Sequence, residues 1–218
     1  MTKTSIFRLL LCAIAPLLLA FNAQASVESP VAGQDYHEVA GHPTPLAPLD
    51  AGQVEVVTVF GYTCPHCAAF EMPLEAWQKK QPDYVRTVNL PAPFGRMWNT
   101  YARAYYAAQS LGILDRSHDA VFEALHVKGS LPRNPSDQEL GTFYASYGVS
   151  SAQFVTALNS AGVAANVQRA EDFVRRTGTD VTPTLVINGK YRIPASNPDA
   201  TLRIANWLIA REHNNAGK

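Results

Sequence analysis

A chain of 218 residues that is 47% apolar has ample material for a core, and its length suits one domain or one domain with a large insertion. Its 18 basic and 18 acidic side chains cancel, so no charge field favours nucleic acid or an anionic membrane surface.

Residues 1–25 read as a secretory signal peptide. Lys3 and Arg8 give a positive start, "LLLCAIAPLLLAF" is an apolar run broken by Pro16, and "AQAS" places small residues for cleavage after Ala25. The run is shorter than the roughly 18 residues expected of a membrane span. Cys12 lies within it and leaves with it. The cut removes two basic residues and no acidic ones, so the remaining chain is slightly acidic. Export would place the remaining cysteines, Cys64 and Cys67, where disulfides persist.

From residue 26 to 52 the chain is rich in Pro, Gly and Ala, with "YHEVA" a candidate edge strand. "VEVVTVF", Val54 to Phe60, is short, mostly β-branched or apolar and stopped by Gly61, which predicts a strand buried on both faces. After Pro65, Phe70, Leu74 and Trp77 recur with helical spacing, and Pro73 predicts a kink. "DYVRTVNLP" predicts a second strand. Residues 94–160 then carry helical signals and little strand. One helix should end at Gly112 and another at Gly129, and Ser136–Glu139 and Ser150–Gln153 both fit capping boxes. A further helix should run to Gly178. Two short strands should flank the Asn188-Gly189 turn, and an amphipathic helix closes the chain. This order predicts an α/β sheet interrupted by a helical insertion.

The chemistry lies in "FGYTCPHCAAF". Structural zinc needs four ligands, and one Cys-x-x-Cys supplies two, with no second pair and no spaced histidines. Covalent haem needs a histidine after the second cysteine, where Ala68 stands. A structural staple would close a tiny loop and restrict the unfolded chain little. A redox pair fits better. Pro65 suits the first helical position, which makes Cys64 the N-cap. Its sulfur then meets the free N–H groups of His66 and Cys67 and the positive end of the helix dipole, so its pKa should fall. Protonated His66 would add charge. Cys64 is expected to attack and leave, and Cys67, one turn in, to resolve. A stabilised thiolate favours the reduced form, so the disulfide should be oxidising.

"FGYTCPHC" after a buried strand, "VTPT" far downstream, a helical block between them and an export signal together resemble the DsbA family of periplasmic thiol:disulfide oxidoreductases. The resemblance covers essentially all of the chain after the leader. It implies a thioredoxin-like mixed sheet formed by residues 26–93 and 161–218, with residues 94–160 as an inserted helical domain. By it, Cys64 matches the exposed nucleophile, Cys67 the buried partner, and Pro65-His66 the dipeptide that sets the potential. Thr182-Pro183 matches the loop facing the disulfide, whose proline is cis in thioredoxin-like folds and which binds extended substrate. The implied function is donation of the Cys64–Cys67 disulfide, through a mixed disulfide, to reduced cysteines of newly exported proteins in the periplasm. It implies no metal and no cofactor beyond that disulfide, a monomer, and reoxidation by a DsbB-like quinone-coupled membrane protein. The chain departs from the family at Thr58, where an acidic residue often helps the second cysteine lose its proton. Glu55 lies at an odd offset, on the other strand face.

Isomerase, reductase and dedicated-substrate oxidase share this chemistry, and a non-catalytic peptide-binding protein is a further alternative. A DsbC-type isomerase carries a dimerisation domain ahead of its thioredoxin fold, for which residues 26–53 leave no room. The tyrosines of "YARAYY" are expected in the core of the insertion, His118 and His126 at ordinary surface or core positions, and Arg175-Arg176 at a solvated helix end.

Overall fold

The computed structural model describes residues 29–41 and 43–216, so the leader and its cleavage site lie outside the described residues. Strand β1 (His37–Glu38) is the edge strand foreseen in "YHEVA". Strand β2 (Val54–Phe60) is buried along its whole length, as its unbroken β-branched and apolar character requires. Helix α1 (Pro65–Gln78) follows and continues past Pro73, with Phe70, Leu74 and Trp77 buried on both sides of that proline. Strand β3 (Val85–Pro91) returns parallel to β2, pairing Val54 with Val85 through Phe60 with Pro91. Strands β4 (Thr184–Ile187) and β5 (Tyr191–Pro194) form the C-terminal hairpin. Strand β4 lies antiparallel to β2, which gives a mixed sheet in the order β1-β5-β4-β2-β3.

Between the two halves of the sheet run α2 (Arg96–Ser110), α3 (Leu114–His126), α4 (Asp137–Tyr144) and α5 (Ser151–Leu158). Both predicted capping boxes form, with Ser136 and Glu139, and Ser150 and Gln153, each exchanging reciprocal bonds. Helix α6 (Ala161–Thr177) starts where the Ser160 hydroxyl caps it by accepting from the Val163 N–H. Helix α7 (Pro198–Ala216) closes the chain. Among the described residues no helix is long and apolar enough to cross a membrane.

Alternation along β2 sorts the core into two layers. Val54 and Val56 pack with Phe70 and Leu74 of α1 and Ile204, Leu208 and Ile209 of α7. Val57 and Val59 face the other way, onto Ala170, Phe173 and Val174 of α6. A third cluster forms where β2 ends: Phe60, Tyr62, Cys64 and Cys67 share one core with Tyr101, Tyr105, Phe122, Leu140, Tyr144 and Phe154 of the helical block. The "YARAYY" tyrosines Tyr101 and Tyr105 are therefore core residues, and that core contains both cysteines.

Glu55 points, as its odd offset requires, away from the Thr58 face. Its buried carboxylate takes hydrogen bonds from Arg86, at 2.5 Å, and from the Leu46 N–H. The pair lies at the start of β2, and the cysteines follow its far end. Thr58 is buried, and its hydroxyl has no hydrogen-bond partner among the described residues.

The β4–β5 turn is locked from three directions. Asn188 and Gly189 both have positive φ, 50° and 68°, as a type I′ hairpin turn requires. The Asn188 side chain accepts from the Glu55 N–H at 2.8 Å and donates to Glu212 on α7 at 2.9 Å. A Cβ on Gly189 would stand 1.9 Å from the Thr44 carbonyl oxygen. Gly189→Ala should therefore cost about 2 kcal/mol or more, combining left-handed strain with a backbone clash. Gly178→Ala, at φ 64° but with its nearest neighbour 3.9 Å away, should cost about 1 kcal/mol. Denaturant melts of both variants check the ranking, and equal losses would contradict the clash.

Candidate active site

The site is built where β2 delivers the chain into α1. Phe60 ends the strand, and Gly61, Tyr62 and Thr63 turn the chain, with the Cys64 N–H bonded to the Gly61 carbonyl at 3.0 Å. A side chain at position 61 is impossible as the molecule stands, since a Cβ there would lie 2.0 Å from the ring of Trp98 on α2. Cys64 is the N-cap of α1, with extended φ and ψ of −88° and 116°, and Pro65 occupies the first turn. The Cys64 side chain makes no capping hydrogen bond, and the free N–H groups of His66 and Cys67 at the helix start favour its thiolate.

All six residues singled out in the sequence lie in or opposite this turn. Pro65 and His66 are exposed on the first turn of α1. Thr182-Pro183 is a cis peptide, and the Cys64 thiol approaches the Thr182 carbonyl at 3.5 Å. The two sulfurs are free thiols, and both are more covered than the motif suggests. Cys64 is 7% exposed and Cys67 1%, so what opening exists belongs to Cys64. Tyr62 and the helical block supply the cover that the sequence did not foresee.

The two thiols are driven apart electrostatically. Cys64 is pulled down from 9.0 to about 5. The hydrogen bond that Cys67 donates to its sulfur is the largest cause. Burial opposes the shift, and the Thr182 side chain and the N–H groups of Cys67 and His66 reinforce it. Cys67 is pushed far above the usual thiol range, because its proton is held against the Cys64 sulfur and because it is buried. The arrangement gives one thiolate ready to attack or leave and one thiol that keeps its proton.

Three further residues reach the turn: His118 and His126, expected at ordinary surface or core positions, and Arg133, which the sequence did not single out. Tyr62 Oη and His118 Nδ1 share a 2.6 Å hydrogen bond, and His118 Nε2 stands 3.2 Å from Glu71 on α1. His126 donates from Nε2 to the Tyr62 carbonyl at 2.7 Å. Arg133 donates to the Thr63 carbonyl at 2.8 Å. His118 and His126 are thus neither surface nor inert core histidines. The signal was present: His118, Phe122 and His126 recur every four residues, so both imidazoles share the face of α3 that buries Phe122. Arg133 follows α3 in a loop with no pattern to mark it.

Comparison with known proteins agrees with this geometry. A thioredoxin family model matches residues 50–205. The thiol:disulfide interchange protein DsbA of Pseudomonas aeruginosa is 34% identical over 213 residues, covering 96% of this chain and 99% of that protein. The Burkholderia cepacia protein of the same name is 35% identical over 195 residues, covering 88% of this chain and 90% of that protein. The crystal structure of oxidoreductase DsbA from Xylella fastidiosa superposes with a TM-score of 0.81 at 45% identity, covering 85% of this chain and 98% of that one. The fold is thioredoxin-like.

The thiol asymmetry predicts a pH dependence that belongs to the reduced form alone. The folded pKa of Cys64 is depressed from 9.0 to about 5, so its ionisation stabilises the reduced fold. That contribution is complete above pH 9 and is lost as pH falls through 5. By pH 7 it should amount to about 2–3 kcal/mol, at 1.36 kcal/mol per unit. Cys67 stays protonated across this window in both states. Denaturant melts of reduced and oxidised protein from pH 4 to 8 should show the reduced form gaining on the oxidised one as pH rises. Parallel profiles would contradict the assignment.

Proposed function

Because the chain belongs to the DsbA family of thiol:disulfide interchange proteins, we propose that it donates the Cys64–Cys67 disulfide to reduced cysteines of exported proteins through a mixed disulfide. The chain is a protein disulfide oxidoreductase. The observation that supports the oxidising direction is the depressed Cys64 pKa: whatever stabilises the thiolate stabilises the reduced state and makes the disulfide easier to reduce.

In the forward reaction a substrate thiolate attacks Cys64 Sγ, the Cys64–Cys67 bond breaks, and Cys67 leaves as a thiolate that takes up a proton. A second substrate thiolate attacks the substrate sulfur of the mixed disulfide and expels Cys64. The substrate gains one disulfide, and the protein keeps two electrons as its dithiol. Cys64 is the better leaving group in the second step, since a low-pKa thiol departs faster. With Thr58 in place of a carboxylate, the proton for Cys67 comes by another route. Pro65 and His66 tune the potential at the helix start. Thr182, with exposed Val181 before it and Pro183 after it, offers a main-chain edge beside Cys64 for an extended substrate segment.

The same reading places the protein in the periplasm after cleavage at Ala25, working as a monomer without a dissociable cofactor. A DsbB-like quinone-coupled membrane protein restores the disulfide. Its support is the leader sequence and the family; the redox equilibrium with glutathione tests the oxidising direction. A wild-type equilibrium lying toward a stable disulfide would contradict the oxidase.

Cys64→Ser should abolish oxidation of reduced peptides, because the attacked sulfur is gone. Cys67→Ser should instead accumulate mixed disulfides through Cys64, visible as thiol-sensitive adducts on a denaturing gel. Equal trapping by the two variants would overturn the division of roles.

A further inference from the structure

We infer that His126 and Arg133, both in the helical block, are positioning residues for the reaction: by holding the two carbonyls that precede Cys64 they set how oxidising the disulfide is. This rests on the oxidase reading above. Between the end of β2 and the N-cap of α1 there are three residues, Gly61 to Thr63. Their course decides where the Cys64 sulfur stands relative to the His66 and Cys67 N–H groups. Within the turn, the Cys64 N–H is taken by Gly61. The carbonyls of Tyr62 and Thr63 accept from His126 Nε2 at 2.7 Å and Arg133 Nη2 at 2.8 Å.

Both donors are themselves fixed. His126 closes α3 and stacks on buried Phe122, with ring centroids 6.2 Å apart. The loop carrying Arg133 is pinned by buried Leu131 and by the Tyr101 hydroxyl, which donates to the Pro132 carbonyl at 2.7 Å. The Tyr62 side chain is held in turn by His118. The turn is thus gripped at consecutive peptides from a part of the chain far along in sequence. Arg133 also brings a permanent positive charge to within one peptide of Cys64. A charge there favours the thiolate over the uncharged disulfide, and a correctly aimed sulfur does the same. Losing either donor therefore weakens the reduced state more than the oxidised one.

The test separates positioning from plain structural support. A residue that only stabilises the fold contributes equally to both redox forms and leaves their ratio unchanged. Arg133→Met and His126→Leu should each raise the Cys64 pKa, read by thiolate absorbance, by about half a unit to one unit. Each should weaken the oxidising equilibrium with glutathione at pH 7 about three- to tenfold, since one unit of thiolate stabilisation is a factor of ten. His126→Gln keeps an N–H donor at the end of the side chain and should restore both quantities to within about twofold of wild type. Arg133→Gln keeps a donor without the charge and should fall between Arg133→Met and wild type; it also serves if Arg133→Met does not fold. Variants that lose stability equally in both forms, with unchanged pKa and unchanged equilibrium, would overturn the inference. The wild-type equilibrium alone tests the oxidase reading, and the ratio of variant to wild type tests the positioning, so the two failures are distinguishable.

Discussion

A sulfur at the N-cap of a helix is the constraint around which this molecule is arranged. The first turn of any helix has N–H groups without partners inside the helix. In α1 two of these, on His66 and Cys67, favour the Cys64 thiolate, and Pro65 has none to offer. A thiolate satisfies such donors far better than a disulfide sulfur does. The energetics of helix termination therefore add to the Cys67 hydrogen bond in setting the energetics of electron transfer. The rest of the fold holds this one contact in place: β2, buried on both faces, fixes the approach, and the loop before β4 closes the site at Thr182.

The inequality of the two cysteines comes from their spacing. Three positions apart, one falls at the cap and the other inside the first turn, facing the core. The same short distance that lets them form a disulfide lets Cys67 donate to the Cys64 thiolate in the reduced state. One thiol lowers the other's pKa while its own rises, and the attacking and resolving roles follow without further machinery.

Much of this is legible from local chemistry. The buried strand, the capping boxes, the Asn-Gly turn and the cysteine at a helix start each arise within a few residues, and each appears as read. Other features depend on residues far apart in sequence. The Ser160 cap lies at the junction of the helical block and α6, with no glutamate or glutamine at Val163 to complete a capping box and mark it. Cys64 shares a core cluster with aromatic residues of the helical block and meets the Thr182 carbonyl, and an expected exposed nucleophile is 7% exposed. His118 and His126 carried a readable periodicity, but only the fold shows that the face they share meets the turn at Tyr62. Arg133, in an unpatterned loop, had no signal of any kind.

The shared core at the end of β2 bears on how separable the parts of this protein are. Phe60, Tyr62, Cys64 and Cys67 are buried among side chains of α2 to α5 rather than between the sheet and its flanking helices. The segment that interrupts the sheet in sequence is thus the roof of the redox centre. Trimming the chain to its sheet and flanking helices would open Cys67 to solvent and strip the aromatic wall from Phe60 and Tyr62. The reactive pair belongs to the seam between the two parts, and neither part contains it alone.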